Sequence, residues 1–118
     1  MAGPDDVILF HPNLVPLMSD GTKSLTYRLD EDGLDYLTVG DVVQAENSAT
    51  GEVFAELEIT SLEWTTFGGL PTDREGNVRS ESKEKQREVF KGYYGRDVTD
   101  DERALIIGFR VVRWVGQE

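Results

Sequence analysis

The chain has 118 residues, no cysteine, one histidine and a formal net charge of −11 at pH 7. The lack of cysteine excludes disulfides and thiolate metal sites, and a single histidine argues against a histidine zinc site or a Ser-His-Asp triad. A chain with this much negative charge is a poor general binder of nucleic acid. Its scarce lysine is typical of halophile proteins, and an acidic mesophile protein is the alternative.

The length predicts a single domain, residues 1–118, with one hydrophobic core. Hydrophobic residues make up 38% of the chain, which is too many for a disordered protein. No apolar run reaches the length of a membrane span, and the N-terminus lacks the basic region of a signal peptide. We therefore expect a cytoplasmic protein without membrane contact, and we favour a monomer.

The first part of the chain predicts two strands joined by a short helix. Residues 7–10 form an apolar run typical of a buried strand, which ends before Pro12 because proline cannot donate to a strand ladder. Residues 13–20 predict a helix that ends at Gly21, where glycine tolerates a left-handed cap. The second strand is expected over residues 23–29.

The second strand carries polar residues at fixed offsets, in the pattern Gly21-x-Lys23-x-x-Thr26-x-Arg28. Side chains alternate along a strand, so Thr26 and Arg28 share one face and Lys23 lies on the other. Two cations and a hydroxyl at one strand entrance suit an anionic or carbonyl-bearing ligand. The alternative is an edge strand with ordinary surface charges, since short motifs often occur by chance.

Two further strands are expected over residues 42–45 and 53–64, joined by a hairpin loop over residues 47–52. The apolar phase of the longer strand shifts by one residue after Ser61. Such a shift predicts a β-bulge or a bend, as small barrels need. The glycine-rich residues 65–77 predict a long loop, which in a small domain is usually functional or mobile.

The last part of the chain predicts a charged helix over residues 80–91, with Ser80 as its N-cap, and a final strand over residues 105–115. Residues 74–96 contain seven cations and four glutamates, a local charge of +3. This segment either faces a polyanion or forms a mixed-charge amphipathic helix, and the charge alone favours the helix.

Together these elements predict an α+β fold. Five or six strands follow one another too closely for βαβ crossovers, so the sheet is expected to be mixed or antiparallel. We expect it to curl into a small β-barrel with flanking helices. The motif, the order of elements and the Tyr-x-Gly end of the charged helix, at residues 93–95, resemble ASCH domains, small relatives of the PUA fold, over residues 7–112.

The resemblance implies a PUA-like β-barrel with a cleft that binds RNA or a modified nucleoside, without a metal or other cofactor. In one branch of the family, small bacterial amidohydrolases remove the acetyl group from N4-acetylcytidine with a lysine, a threonine and a glutamate. Lys23 and Thr26 match the first two by motif position, and Glu75, or failing that Glu81, is our choice for the third.

The resemblance also implies a set of residues that bind the ligand. We expect this set to comprise Gly21, Arg28, Arg79 and Tyr94. Thr22 and Ser24 depart from the amidohydrolase branch, which prefers Arg and Thr at these positions, and this leaves the exact substrate open.

Three functions remain open at this point. We rank binding of RNA or a nucleotide-like ligand first, amide hydrolysis second, and a protein-interaction module that uses the acidic faces third. Hydrolysis needs Lys23 as a base for Thr26, and hence a pKa of Lys23 lowered by burial or by a neighbouring cation such as Arg28. It also needs a turn or bulge over residues 21–24, because a regular strand separates Lys23 from Thr26.

Overall fold

Five strands and two α-helices are seen in the computed structural model, which describes residues 7–19, 23–30, 33–34, 36–72 and 82–115. In chain order the elements are β1 (Val7–Phe10), a 3-10 turn (Pro12–Leu14), α1 (Val15–Ser19), β2 (Leu25–Leu29), β3 (Val42–Asn47), β4 (Val53–Thr66), a second 3-10 turn (Phe67–Gly69), α2 (Lys83–Tyr94) and β5 (Arg103–Trp114). Within these ranges no helix is long and apolar enough to cross a membrane.

The strands form one sheet in the order β1-β3-β4-β5-β2. β1 runs parallel to β3, and the other neighbours pair antiparallel. The predicted α+β class and mixed sheet are therefore confirmed. The expected closed barrel is not seen in the described residues, since β1 and β2 are the two edges and no ladder joins them. Instead, the Arg28 guanidinium donates to the Leu9 carbonyl at 2.5 Å, so a side chain links the two edges.

β5 separates two hydrophobic cores because its side chains alternate between the faces of the sheet. Leu105, Ile107 and Phe109 belong to the first core, together with the buried side chains of β1, β3 and β4. Ala104 and Ile106 belong to the second core, which α2 and the segment after β4 complete. Strand β5 thus contributes side chains to both cores of the sheet.

The phase shift predicted after Ser61 is a β-bulge in β4. The register between β4 and β5 shifts between Ile59 and Ser61, opposite Gly108. A Cβ on Gly108 would lie 2.2 Å from the Ser61 Oγ and 3.0 Å from the Thr60 Oγ1. Glycine therefore allows the two strands to approach at the bulge.

Helix α2 begins later than predicted. The Ser82 hydroxyl accepts a hydrogen bond from the Lys85 N–H at 3.2 Å, so Ser82 is the N-cap and the prediction of Ser80 is wrong. A start at Ser82 sets the helix phase that brings Lys83 and Gln86 onto the carbonyls of residues 67–71. These contacts outweigh the equal capping propensity of the two serines.

We expect Gly108→Ala to lower the free energy of unfolding by about 1–3 kcal/mol, since the new Cβ overlaps the Ser61 hydroxyl. Urea denaturation measures the effect. In the Gly108→Ala background, Ser61→Ala is expected to restore part of the loss. Gly92→Ala is the control, because a Cβ there meets nothing within 4 Å and α2 gains a better helix former. Equal effects at Gly108 and Gly92 would contradict this account of the bulge.

Candidate functional site

Lys23 lies just before β2, not within it, because the strand begins at Leu25. Its backbone N–H donates to the Leu17 carbonyl at 2.9 Å, and its Nζ donates to the Leu25 carbonyl at 2.7 Å. The side chain is only 6% exposed. The alternation of side chains along a strand therefore does not apply to Lys23. The prediction that Lys23 and Thr26 lie on opposite faces assumed a strand that begins at residue 23, and that start is wrong.

The pKa of Lys23 is lowered from 10.5 to about 7, first because burial removes the hydration of the ammonium group and second because of the positive charge of Arg28. These are the two effects that a lysine base requires. Near neutral pH a large fraction of Lys23 is therefore the free amine, which accepts a proton.

Thr26 and Arg28 share a face of β2, as predicted. The Arg28 Nε donates to the Thr26 Oγ1 at 3.1 Å. The same guanidinium lies 5.1 Å from the centroid of the Phe10 ring and reaches the Leu9 carbonyl. Thr26 is 3% exposed. Arg28 therefore orients the threonine hydroxyl and holds β1 against β2 at the same time.

A cleft of about 300 Å³ opens beside Lys23. It forms because the ladder between β2 and β5 stops at the pair Leu25–Gly108, while β5 continues to Trp114. Its lining consists of Met18, Ser19, Lys23, Ser24, Phe109, Arg110, Val111 and Trp114. Lys23 faces this cleft, whereas Thr26 and Arg28 lie outside its lining.

The part of the cleft lining that β5 supplies was not predicted from the sequence. The signal was present, since the predicted second strand was four residues shorter than the predicted last strand. Pairing two strands of unequal length leaves one end of the longer strand uncovered. The side chains at that end include Arg110 and Trp114. The centroid of the Trp114 ring lies 6.2 Å from that of the Phe54 ring.

The other predicted site residues fall into two groups. Gly21, Glu75, Arg79 and Glu81 lie outside the described residues, and their roles stay predictions. Tyr94 is half-buried, its ring stacks on Phe90 at 6.0 Å, and its hydroxyl accepts a hydrogen bond from the Leu29 N–H at 3.0 Å. Tyr94 thus anchors β2 to α2, and its part in ligand binding stays a prediction.

Each described cation of the positive segment, residues 74–96, has a partner. Lys83 donates to the carbonyls of Phe67 and Leu70 and to the side chain of Gln86. The ion pairs of the segment are Lys85–Glu88, Arg87–Asp100, Lys91–Asp97 and Arg96–Glu102. This is the mixed-charge helix that the charge pattern favoured, and four described cations of the segment form ion pairs within the protein.

No metal-binding cluster is seen among the described residues. The described ranges contain no group of three or more His, Asp or Glu side chains that is able to hold a metal ion.

Comparison with known proteins finds similarity in structure only. No family model and no curated protein matches the sequence. An ASCH domain from Lactobacillus crispatus is 17% identical with a TM-score of 0.68, over 93% of this chain and 80% of that one. A DUF984 protein of Enterococcus faecalis is 16% identical with a TM-score of 0.72, over 100% of this chain and 86% of that one. A mutant ASCH protein from Zymomonas mobilis is 16% identical with a TM-score of 0.62, over 92% and 73% of the two chains.

We expect Lys23 to make the stability of the protein depend on pH. Between about pH 7 and pH 10 the unfolded chain, in which Lys23 regains its ordinary pKa of 10.5, binds more protons than the folded chain. The free energy of unfolding therefore rises with pH in this window, by at most about 1.4 kcal/mol per pH unit from this group. Urea denaturation of wild type and Lys23→Met isolates the contribution. Lys91→Met is the control, and an identical pH slope in wild type and Lys23→Met would contradict the burial of a neutral amine.

We expect Arg28→Met to lower the free energy of unfolding by about 1–3 kcal/mol, because the variant removes charge-assisted hydrogen bonds from the Leu9 carbonyl and from the buried Thr26 hydroxyl. It should also raise the pKa of Lys23, since the neighbouring charge is lost. Urea denaturation and an NMR titration of the Lys23 side chain measure the two effects. Arg113→Met is the control, because its exposed pair with Glu56 is worth about 0–1 kcal/mol. If both variants cost the same, Arg28 does not hold the sheet edges together.

Proposed function

Because the chain has the fold of ASCH domains, which are PUA-like, we propose that it binds a small nucleoside-like ligand in the cleft beside Lys23 and hydrolyses an acyl amide on that ligand. The observation that carries the proposal is Lys23 itself, a buried amine with a pKa of about 7 that lines an open cleft. A general base works best when its pKa lies near the working pH.

The size of the cleft favours a small molecule over a polymer. Its volume of about 300 Å³ lies at the lower end of the range for small-molecule sites. The lining supplies two hydroxyls, from Ser19 and Ser24, and the ring of Trp114. An apolar wall with a few polar groups suits a planar heterocycle that carries a sugar.

In the proposed reaction the neutral amine of Lys23 accepts a proton from a water molecule. The hydroxide formed in this way adds to the acyl carbon of the ligand. The carbon–nitrogen bond then breaks as the Lys23 ammonium returns the proton to the leaving nitrogen, and the products are a carboxylic acid and an amine. Water is the preferred nucleophile because Thr26 is buried and lies outside the cleft lining. Burial first, and then the charge of Arg28, lower the pKa of Lys23 to about 7, so that part of the lysine returns to the free amine between turnovers.

Binding of an RNA strand is the second candidate, and one observation favours it. Trp64 is 39% exposed, and the Arg103 guanidinium lies 4.1 Å from the centroid of its ring. Exposed aromatic and guanidinium planes are surfaces on which unpaired bases stack. The ion pairs of Lys85, Arg87 and Lys91 speak for the smaller ligand, because a cation paired with a carboxylate attracts a phosphate backbone less strongly.

We expect the pure protein to convert N4-acetylcytidine into cytidine and acetate, with chromatography as the readout. The assay is run at low and at molar salt, since the acidic composition suits a halophile. Lys23→Ala should lower the rate at least about 100-fold, the usual contribution of a general base. The wild-type rate should rise with pH through about 7, because only the free amine is active.

Lys91→Ala is the control for this assay, because Lys91 is an exposed lysine paired with Asp97. Turnover that survives Lys23→Ala would remove Lys23 from the chemistry. No turnover by wild type at either salt concentration would remove this substrate, and a salt-dependent affinity for RNA without turnover would then support the second candidate.

A further inference from the structure

The cleft contains a stretch of strand edge that no described strand covers. The Phe109 N–H donates to the Ser24 carbonyl at 2.9 Å, and the ladder with β2 ends there. β5 continues for five further residues, to Trp114. Val111, in the middle of this stretch, is one of the residues that line the cleft.

The pairing of β4 decides which way the backbone of Val111 points. The Ile59 N–H donates to the Asp41 carbonyl, and the Ile59 carbonyl accepts from the Gly40 N–H, both at 2.8 Å. Ile59 therefore turns its backbone groups away from β5. Leu57 lies two residues earlier in β4. Its N–H and C=O also point away from β5, because the backbone groups of successive residues point alternately to the two sides of a strand.

Leu57 lies opposite Val111 in the register of β4 and β5. A residue in a pair that is not hydrogen-bonded directs its N–H and C=O to the other side of its own strand. The N–H and C=O of Val111 therefore point away from β4, toward the edge that β2 leaves uncovered. One residue thus presents a donor and an acceptor side by side, held in place by the sheet.

We infer that the N–H and C=O of Val111 bind the hydrogen-bonding edge of a planar amide or nucleobase-like heterocycle in the cleft. The inference deepens the proposed function and rests on it for the kind of ligand. A cytosine-like edge complements Val111, because it carries an acceptor and a donor on neighbouring atoms. A phosphate or a carboxylate offers acceptors alone and leaves the Val111 carbonyl unpaired.

The same edge is poorly suited to a peptide strand. The register of β4 and β5 shifts between Glu56 and Leu57, so β5 carries a bulge directly after Val111. A bulge interrupts the even spacing of donors and acceptors that an added strand needs. The uncovered edge is also short, and the cleft of about 300 Å³ is small. These features favour a compact heterocycle that pairs with a single residue.

An NMR titration of the ¹⁵N-labelled protein with cytidine tests the inference directly. We expect the Val111 amide to shift downfield and to exchange with solvent more slowly as cytidine is added. The Phe109 amide serves as the internal control, since it is already bonded to Ser24. Binding of cytidine without a change at the Val111 amide would overturn the inference, as would slow exchange of Val111 in the free protein.

Val111→Pro removes the N–H and is compared with Val111→Ala, which retains it. We expect the proline variant to bind cytidine at least about tenfold more weakly than the alanine variant, the effect of one lost hydrogen bond. Circular dichroism checks that both variants fold, and the wild-type titration decides the matter if the proline variant does not. Equal affinities of the two folded variants would overturn the inference.

The result of the cytidine titration can be distinguished from the result of the deacetylation assay. If N4-acetylcytidine is not hydrolysed but cytidine protects the Val111 amide, the proposed reaction fails and the inference stands. If N4-acetylcytidine is hydrolysed by a Lys23-dependent reaction while the Val111 amide stays unchanged with cytidine, the proposed function stands and the inference fails. Protection of the Val111 amide by an extended peptide, with none by cytidine, would also overturn it in favour of strand addition.

Discussion

The guanidinium of Arg28 is the interaction on which the sheet and the candidate site both depend. It reaches from β2 to the Leu9 carbonyl of β1, lies over the Phe10 ring and donates to the Thr26 hydroxyl. Its planar group makes these contacts at once because its donors point in fixed, different directions. After burial, which has the larger effect, the same charge lowers the pKa of Lys23. One side chain therefore couples the link between the two sheet edges to the proton affinity of the site.

Side-chain periodicity made much of the fold predictable, because it reports which residues face a core. It identified a bulge in β4 and the shared face of Thr26 and Arg28, and both are confirmed, the bulge lying between Ile59 and Ser61. Periodicity does not report which strand edges meet. The expected barrel is not seen in the described residues for that reason, since a side-chain bond links the two edges where a barrel would have a ladder. The start of β2 was also misplaced, because the bonds of Lys23 to Leu17 and Leu25 join parts of the chain whose contact no local pattern predicts.

Several described cations of this acidic chain form ion pairs with carboxylates of the same molecule. On the outer face of β4 and β5, Arg110 pairs with Glu58 and Arg113 with Glu56. Such exposed pairs add little stability, about 0–1 kcal/mol each. Their larger effect is on the electric field, because a paired cation contributes little attraction for distant anions. The field outside the protein is then dominated by the remaining carboxylates, and an uncharged ligand meets less repulsion than a polyanion does.

The hydrogen bond from the Leu29 N–H to the Tyr94 hydroxyl has a consequence for behaviour at high protein concentration. Open sheet edges present unpaired backbone groups and invite strands of other molecules to add, which leads to aggregation. On β2 a tyrosine hydroxyl occupies one of these groups, and on β1 the Arg28 guanidinium occupies the Leu9 carbonyl. Both outer edges are thus partly capped by side chains from other elements. A strand from a neighbouring molecule would have to displace these caps before it formed its first backbone hydrogen bond. The caps therefore oppose strand addition at β1 and β2, although β1 contains no charged residue and the sheet is open.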